Sequence, residues 1–134
     1  MRKNNLKKAI SIILLIMVLL ITLSTAVSAR YQYIAILGAS LSINSNGLAT
    51  CEGQVRPSDN DTSTTLTVEL QKQSNGWIYV DSWSTSGEGA RNIIKSAQKY
   101  IARGKYRVVV TAKVYSSSGS LLENQSVISH EVTY

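Results

Sequence analysis

One segment restricts the fold more than any other: KYRVVVTAKVY, residues 105–115. Every even-numbered residue in it is apolar or aromatic, whereas Arg107, Thr111 and Lys113 stand at odd positions. A two-residue periodicity that places the apolar side chains on one face is typical of a strand that lies half-buried against a core. On a helix the same residues would spread around the axis. The inward side chains are therefore predicted to be Tyr106, Val108, Val110, Ala112 and Val114.

The same alternation appears in two earlier segments, GLATCEGQV at 47–55 and TTLTVELQ at 64–71. Residues 31–37 and 41–44 favour a bent first strand. Valine, threonine, isoleucine, tyrosine and serine are common, with one proline and no phenylalanine, and this composition also favours strands. The inward side chains are predicted to be Ala49, Cys51, Gly53 and Val55 in the first segment and Leu66, Val68 and Leu70 in the second.

Two later segments leave alternatives open. ARNIIKSAQKYIA, residues 90–102, carries Ile94, Ala97 and Ile101 at helical spacing, although its context favours a strand. In SVISHEVTY, residues 126–134, either alternating set can face the core. With these segments included, the sequence predicts an all-β domain, a single antiparallel β-sandwich of about seven strands.

The first 29 residues, MRKNNLKKAISIILLIMVLLITLSTAVSA, have the pattern of a secretory signal. Basic residues come first, a run of apolar or small residues follows at 9–23, and Val27 and Ala29 occupy the −3 and −1 positions of a cleavage site. The run is shorter than the ~20 residues that a membrane-spanning helix needs. We therefore expect residues 1–29 to be removed and residues 30–134 to form one secreted domain. An uncleaved membrane anchor is the alternative.

The net charge of the whole chain is +6, from 14 Lys and Arg against 8 Asp and Glu. Four of the basic residues lie within 1–29, so residues 30–134 carry ten basic against eight acidic side chains, a net charge of +2. The ten basic residues are scattered singly, whereas a nucleic-acid-binding protein needs a clustered basic patch. The sequence therefore argues against a nucleic-acid partner.

Catalytic and metal-binding patterns are missing from the sequence. His130 is the only histidine and Cys51 the only cysteine, so neither a zinc site nor an activated nucleophile is indicated. No phosphate-binding glycine-rich loop or dinucleotide fingerprint occurs. One loop contains Asp59, Asn60 and Asp61, whose side-chain oxygens are ligands suited to calcium. Because Asp and Asn are also common turn residues, a solvated turn without calcium is favoured. We predict a protein that is not an enzyme and holds no metal or cofactor.

WIYVDSW, residues 77–83, follows a strand across SNG, residues 74–76, a sequence typical of a hairpin turn. A two-residue loop would pair Leu70 with Asp81 and place that carboxylate on the core face. A three-residue loop would instead pair Leu70 with Val80 and Lys72 with Ile78. Burying an unpaired carboxylate is costly, so the three-residue loop is favoured.

With the three-residue loop, Ile78 and Val80 join the core, and Trp77, Tyr79 and Trp83 line the opposite face. Three neighbouring aromatic side chains on an exposed sheet would form an apolar stripe beside polar residues, and such surfaces mark binding sites. We therefore predict Trp77, Tyr79 and Trp83 as binding residues. The alternatives are a bulge that turns one Trp into the core, or Lys and Arg side chains that cover the rings.

Two segments carry a resemblance to known proteins. GKYRVVVTAKVYSSSG, residues 104–119, resembles the penultimate strand of immunoglobulin-like and fibronectin type III-like sandwiches. The whole of residues 30–134, with LQKQSNGWIYVDSWSTSG at 70–87 followed by KYIARGKYRVVVTAKVY at 99–115, also resembles small secreted immunoglobulin-like proteins of an uncharacterised family from Gram-positive bacteria. The resemblance implies an immunoglobulin-like fold and export. It implies no activity and no site residues.

In such sandwiches a tyrosine near the start of the penultimate strand forms a hydrogen bond to the preceding turn, a motif called the tyrosine corner. Tyr106 matches that tyrosine. In antibody domains the cysteine of the second strand pairs with one two residues after this tyrosine, a position that Val108 occupies here. The resemblance thus places Cys51 inside the sandwich, opposite Val108 and without a disulfide partner. The tryptophan of the third strand of antibody domains is also missing, so the likeness concerns architecture only.

The sequence favours two functional hypotheses over a third, a hydrolase with a site near His130 or Asp59–Asp61. The first is a secreted, non-catalytic module that binds an unknown protein or glycan, or has a structural role, outside the cell or at the cell envelope. The second is a secreted effector, an inhibitor or antimicrobial protein that acts on another cell. Contact with a membrane is expected only through residues 1–29, if these stay attached. The oligomeric state is not indicated.

Overall fold

The computed structural model describes residues 31–134, which form one compact unit. The predicted signal, residues 1–29, lies outside the described residues. Within 31–134 the secondary structure consists of strands and turns, and no helix there has the length and apolar character needed to cross a membrane. The strands are β1 Ile34–Ile43, β2 Leu48–Pro57, β3 Thr62–Gln73, β4 Trp77–Glu88, β5 Ile93–Tyr100, β6 Lys105–Ser116, β7 Leu121–Ile128 and β8 Val132–Thr133.

These strands pair antiparallel in two sheets. The smaller sheet has the order β1-β2-β5, and the larger has the order β4-β3-β6-β7, with β8 pairing β6. Because β7 and β8 both pair with β6, they act as one interrupted strand. The predicted fold class is confirmed: an all-β antiparallel sandwich of about seven strands, consistent with an immunoglobulin-like fold. Constant-type antibody domains place the fourth strand in the first sheet, whereas here β4 pairs β3.

The core lies between the sheets and is built mainly from alternating residues of β2, β3 and β6. Each large apolar side chain removed from water there contributes roughly 1.5–3 kcal/mol. Cys51 lies among them as a buried free thiol. The inward residues predicted from the alternation are all buried: Ala49, Cys51, Gly53 and Val55 in β2, Leu66, Val68 and Leu70 in β3, and Tyr106, Val108, Val110, Ala112 and Val114 in β6.

The structure decides between the alternatives for the two ambiguous segments. Residues 90–102 contain the strand β5, which completes the smaller sheet by pairing with β2. In residues 126–134 the odd-numbered set faces the core at first: Val127 packs against it and Ser129 is buried, whereas Ile128 is 56% exposed. The strand is then interrupted after Ser129. A helix over 90–102 would have left one side of β2 without hydrogen-bonding partners.

Tyr106 forms the corner that the resemblance implied. It is buried, and its hydroxyl donates a 2.8 Å hydrogen bond to the carbonyl oxygen of Ala102. The Nζ atom of Lys72 lies 5.7 Å from the centre of its ring. Cys51 and Val108 both belong to the buried core. The corner therefore ties the turn before β6 to the core of the sandwich.

Candidate functional site

The β3–β4 hairpin turns through three residues, as predicted. Ser74, Asn75 and Gly76 separate Gln73 from Trp77, which pair across the turn. Asn75 has a φ of 51° and Gly76 a φ of 118°, left-handed conformations that asparagine and glycine tolerate best. The backbone N–H of Ser74 donates a 2.7 Å hydrogen bond to the carbonyl of Gly76. The residues of this turn thus set the pairing at the end of the hairpin.

Farther from the turn the pairing changes. Lys72 pairs with Ile78 as predicted, but Leu70 pairs with Asp81, so Val80 is an extra residue in β4. The predicted pairing of Leu70 with Val80 is therefore wrong. One extra residue, a β-bulge, moves every later side chain of the strand to the opposite face.

Asp81 lies on the core side of β4, where a carboxylate was expected to have no partner. Lys99 of β5 reaches across the open side of the sandwich, and its Nζ lies 3.0 Å from Oδ2 of Asp81. This hydrogen bond, together with one from the backbone N–H of Ser82, lowers the pKa of Asp81. The carboxylate is paired and partly exposed, so the expected cost of burial does not arise.

The bulge divides the three predicted aromatic residues between two faces. Trp83 lies on the core side of β4 and packs against the core, whereas Trp77 and Tyr79 precede the bulge and stay on the outer face. Ile78, predicted to be buried, is 48% exposed, and Val80 is only partly buried. The continuous stripe of three aromatic side chains is therefore not formed. A role of these three residues in binding stays a prediction.

Trp77 and Tyr79 belong to a cluster, the aromatic patch, which consists of Trp77, Tyr79, Arg107, Gln71 and Glu69. The guanidinium carbon of Arg107 lies 4.2 Å from the centre of the Trp77 ring. The Nε of Arg107 donates a 2.8 Å hydrogen bond to Oε1 of Gln71, and Nε2 of Gln71 in turn donates to Glu69. These contacts hold the guanidinium over the ring, a position favoured by cation–π attraction.

Tyr79 is the most exposed ring of the aromatic patch, at 60% exposure, and its hydroxyl shares a 3.1 Å hydrogen bond with that of Ser82. Arg107 was not among the predicted binding residues. Its place beside Trp77 depends on the pairing of β6 with β3, which sets Arg107 opposite Gln71. The one signal in the sequence was its odd position in β6, which predicts an outward side chain.

The loop with Asp59, Asn60 and Asp61 uses side-chain oxygens to hold its own conformation. Oδ1 of Asp59 accepts a 2.9 Å hydrogen bond from the N–H of Asp61, and Oδ1 of Asn60 accepts one of 3.3 Å from Ala90. A polar cleft of about 410 Å³ borders this loop. Across residues 31–134, no group of three or more His, Cys, Asp or Glu side chains gathers closely enough to hold a metal ion.

The thiol of Cys51 is poorly suited to act as a nucleophile. Burial raises its pKa to about 11, and the negative charge of Asp81 adds to the shift. The thiol is therefore protonated at neutral pH, and the thiolate is the reactive form. His130 is exposed and lies between β7 and β8.

No protein family model matches the chain. No curated protein matches it. Among solved structures, the chain is similar to wild-type OgpA from Akkermansia muciniphila, with 13% sequence identity and a TM-score of 0.37. The match covers 83% of this chain and 33% of the OgpA chain, so this chain spans about one third of the length of that protein. The architecture described above follows from the strand pairing of this chain itself.

Proposed function

We propose that this protein is a secreted, non-catalytic binding module that contacts its partner, a protein or a glycan, through the aromatic patch. The observation that carries the proposal is the stacking of Arg107 on Trp77 at 4.2 Å, held by the 2.8 Å hydrogen bond to Gln71. A group that is already held in place loses little conformational entropy when it binds. Trp, Tyr and Arg are also the residue types that dominate binding energies at interfaces.

The position of the patch supports this role. It lies on the outer face of the larger sheet, next to the hairpin turn. Tyr79 exposes 60% of its surface there, and Ile78 exposes 48% on the other side of the same strand. Neither side chain belongs to the core of the sandwich. What distinguishes Tyr79 from other exposed rings such as Tyr100 is that it shares a sheet face with the stacked pair of Arg107 and Trp77.

Export is the second part of the proposal. It is supported by the three-part pattern of residues 1–29 and by the likeness to small secreted proteins of Gram-positive bacteria. Expression of the full chain in a Gram-positive host, followed by N-terminal sequencing of protein from the medium, tests it. We expect Arg30 as the first residue of the product. Recovery of the full-length chain from the membrane fraction would contradict cleavage.

A binding experiment with point variants tests the role of the patch. Residues 31–134 form a compact unit with their own core, so this domain can be purified alone. We expect the domain to bind at least one of three immobilised materials: bacterial cell wall, neutral glycans or extracellular proteins. Trp77→Ala and Tyr79→Ala should each weaken that binding. Tyr100→Ala, which removes a ring 72% exposed on the smaller sheet, is the matched control and should bind like wild type.

Loss of binding must be separated from loss of folding. Tyr79→Ala removes an exposed side chain, so its free energy of unfolding should stay within about 0.5 kcal/mol of wild type. Weaker binding by this variant at unchanged stability supports the patch. The proposal that the aromatic patch is the contact surface would be contradicted if wild type, Trp77→Ala and Tyr79→Ala bound every material equally, or if none of them bound any material.

A further inference from the structure

The outer face of the larger sheet is lined by small residues that carry hydroxyl groups. Because residues of a strand alternate between faces, the residues between the core positions of β3, β6 and β7 point outward. In β4, the bulge brings a series of alternating serines onto the same face. This surface, the hydroxyl face, is centred on Thr65, Thr67, Ser84, Ser86, Thr111 and Ser126.

One row of the hydroxyl face crosses four strands. Ser84, Thr67, Thr111 and Ser126 stand opposite one another in successive strand pairs. The hydroxyls of Ser84 and Thr67 lie 2.9 Å apart, and those of Thr111 and Ser126 lie 2.8 Å apart, both at hydrogen-bond distance. Each hydroxyl donates one hydrogen bond and accepts two, so the row keeps free capacity for a ligand.

Aromatic rings lie at both ends of this face. The aromatic patch is at the end near the β3–β4 turn, and Tyr115 is at the other end of β6, opposite Ser63. Arg107 and Tyr115 are separated by eight positions along β6, about 27 Å at the usual rise of a strand. The four strands span about 14 Å across at their usual spacing. The result is an elongated polar surface with a ring at each end.

The charges on this surface balance. Between Arg107 and Tyr115, the outward charged residues of β3, β4 and β6 are Glu69, Glu88, Arg107 and Lys113. A surface with two charges of each sign has no net positive charge, so it does not favour binding of a polyanion such as a nucleic acid. A serine-rich surface also differs from protein interfaces, which are depleted in serine. A neutral, hydroxyl-rich ligand fits both properties.

We infer that the ligand of this face is a neutral linear polysaccharide that lies along the strands, from the aromatic patch toward Tyr115. This inference rests on the proposed binding function and names the class of partner. Sugar hydroxyls exchange hydrogen bonds with the serine and threonine hydroxyls of the row. The apolar face of a sugar ring stacks on Tyr79, the most exposed ring of the aromatic patch. One surface thus meets both the polar edge and the apolar face of the sugars.

Calorimetric titration of residues 31–134 with oligosaccharides of two lengths tests this inference. The probes are cellohexaose, xylohexaose and N-acetylchitohexaose, each compared with its disaccharide. We expect at least one hexasaccharide to bind, and its disaccharide to bind about tenfold more weakly or worse. The physical reason is length, because a disaccharide on the aromatic patch cannot also reach the row formed by Thr67 and Thr111.

A double variant separates the hydroxyl face from the aromatic patch. Thr67→Val with Thr111→Val removes two central hydroxyls while keeping β-branched side chains that favour strands. We expect it to bind the hexasaccharide about tenfold more weakly than wild type. Thr50→Val makes the same change on the outer face of the smaller sheet and should bind like wild type. Melting curves of these two variants should show that both remain folded.

The outcomes distinguish this inference from the proposed function. The polysaccharide inference is overturned if none of the three hexasaccharides binds, or if wild type and the double variant bind equally. If the domain binds no oligosaccharide but retains an extracellular protein, and this retention depends on Trp77 and Tyr79, the polysaccharide inference is overturned and the proposed function stands. If Trp77→Ala and Tyr79→Ala change no binding at all, both are overturned.

Discussion

Gly53 lies on β2 directly against side chains of the opposite sheet. A Cβ atom at this position would lie 2.8 Å from Cγ2 of Val68 and 2.9 Å from Cγ1 of Val110. Both distances are shorter than ordinary contact between carbon atoms. Gly38, on the neighbouring strand β1, has no such neighbour within 4 Å. The two glycines therefore form a matched pair for testing how tightly the sheets pack.

We expect Gly53→Ala to lower the free energy of unfolding by about 1–3 kcal/mol, because the added methyl group must displace two buried valines. Gly38→Ala should leave the stability unchanged or raise it by up to about 1 kcal/mol, since alanine restricts the unfolded chain more than glycine does. Urea denaturation measures both changes. Equal stabilities of the two variants would contradict the close approach at Gly53.

Cys51 gives a second prediction at the residue scale, a pH dependence of stability. Its pKa is raised by burial to about 11, from the 9.0 of an unperturbed thiol. Between these two values the unfolded chain has released a proton that the folded chain keeps. The free energy of unfolding therefore falls as pH rises from about 9 to about 11, and the contribution is fully present below pH 9. The loss is on the order of 2 kcal/mol.

Comparison with Cys51→Ala isolates this effect, because the variant has no thiol to titrate. We expect wild type to lose stability relative to the variant above pH 9, measured by urea denaturation across the pH range. The native thiol should also react slowly with a thiol reagent at pH 8 and quickly in denaturant. A stability difference that does not depend on pH, together with fast labelling of native protein, would show that Cys51 is accessible.

At the scale of the strands, each edge of the two sheets has a feature that hinders pairing with another chain. β1 shifts register between Ile34 and Ile36, β4 has its bulge at Val80, and β7 has a register shift and is interrupted before β8. β5 instead points Lys95 and Lys99 toward the core side of the smaller sheet. Bulges and inward-pointing lysines are both known to protect exposed edges. The edges therefore favour a monomer.

Lys95→Val tests the protection of β5. Without the lysine, pairing of β5 with a second copy no longer buries a charge, so we expect association that increases with protein concentration in analytical ultracentrifugation. Lys113→Val makes the same change on the central strand β6, where no edge is free, and should stay monomeric like wild type. Similar association by both variants would point to added hydrophobicity rather than to the edge of β5.

At the scale of the whole molecule, carboxylates join the two sheets across both open sides of the sandwich. On one side Asp81 of β4 lies 3.0 Å from Lys99 of β5. On the other, Glu123 of β7 accepts hydrogen bonds from the backbone N–H groups of Gln32 and Tyr33, just before β1. These contacts act together with the core to set the position of one sheet on the other.

Glu123→Ala removes both hydrogen bonds on that side and leaves two backbone N–H groups without their partner. We expect a loss of about 1–2 kcal/mol in the free energy of unfolding and faster hydrogen exchange at Gln32 and Tyr33, the two amides that lose their acceptor. Glu131→Ala is the control, since its carboxylate is half-exposed and lies 3.6 Å from Lys105. A surface pair of this kind contributes little. Unchanged exchange at Tyr33 in Glu123→Ala would contradict the link between the sheets.

Features set by neighbouring residues were predictable from the sequence, whereas features that depend on distant residues were not. The alternation in 105–115 predicted every inward residue of β6, because strand periodicity is carried by neighbouring residues alone. The turn at 74–76 was also correct, since Asn and Gly have local conformational preferences. The pairing of Leu70 with Val80 was wrong, because it ignored Lys99, which lies in another strand of the other sheet.

The sequence by itself determined the all-β class, the buried faces of the central strands and the buried state of the single cysteine, Cys51. The tertiary structure alone decided that Trp83 packs against the core, that Arg107 stacks on Trp77, and that serine and threonine side chains of four strands form one surface. The physical reason is that alternation along a strand is a local property. Bulges, ion pairs across the open side and rows of side chains depend on which strands become neighbours, and only the folded sandwich sets that.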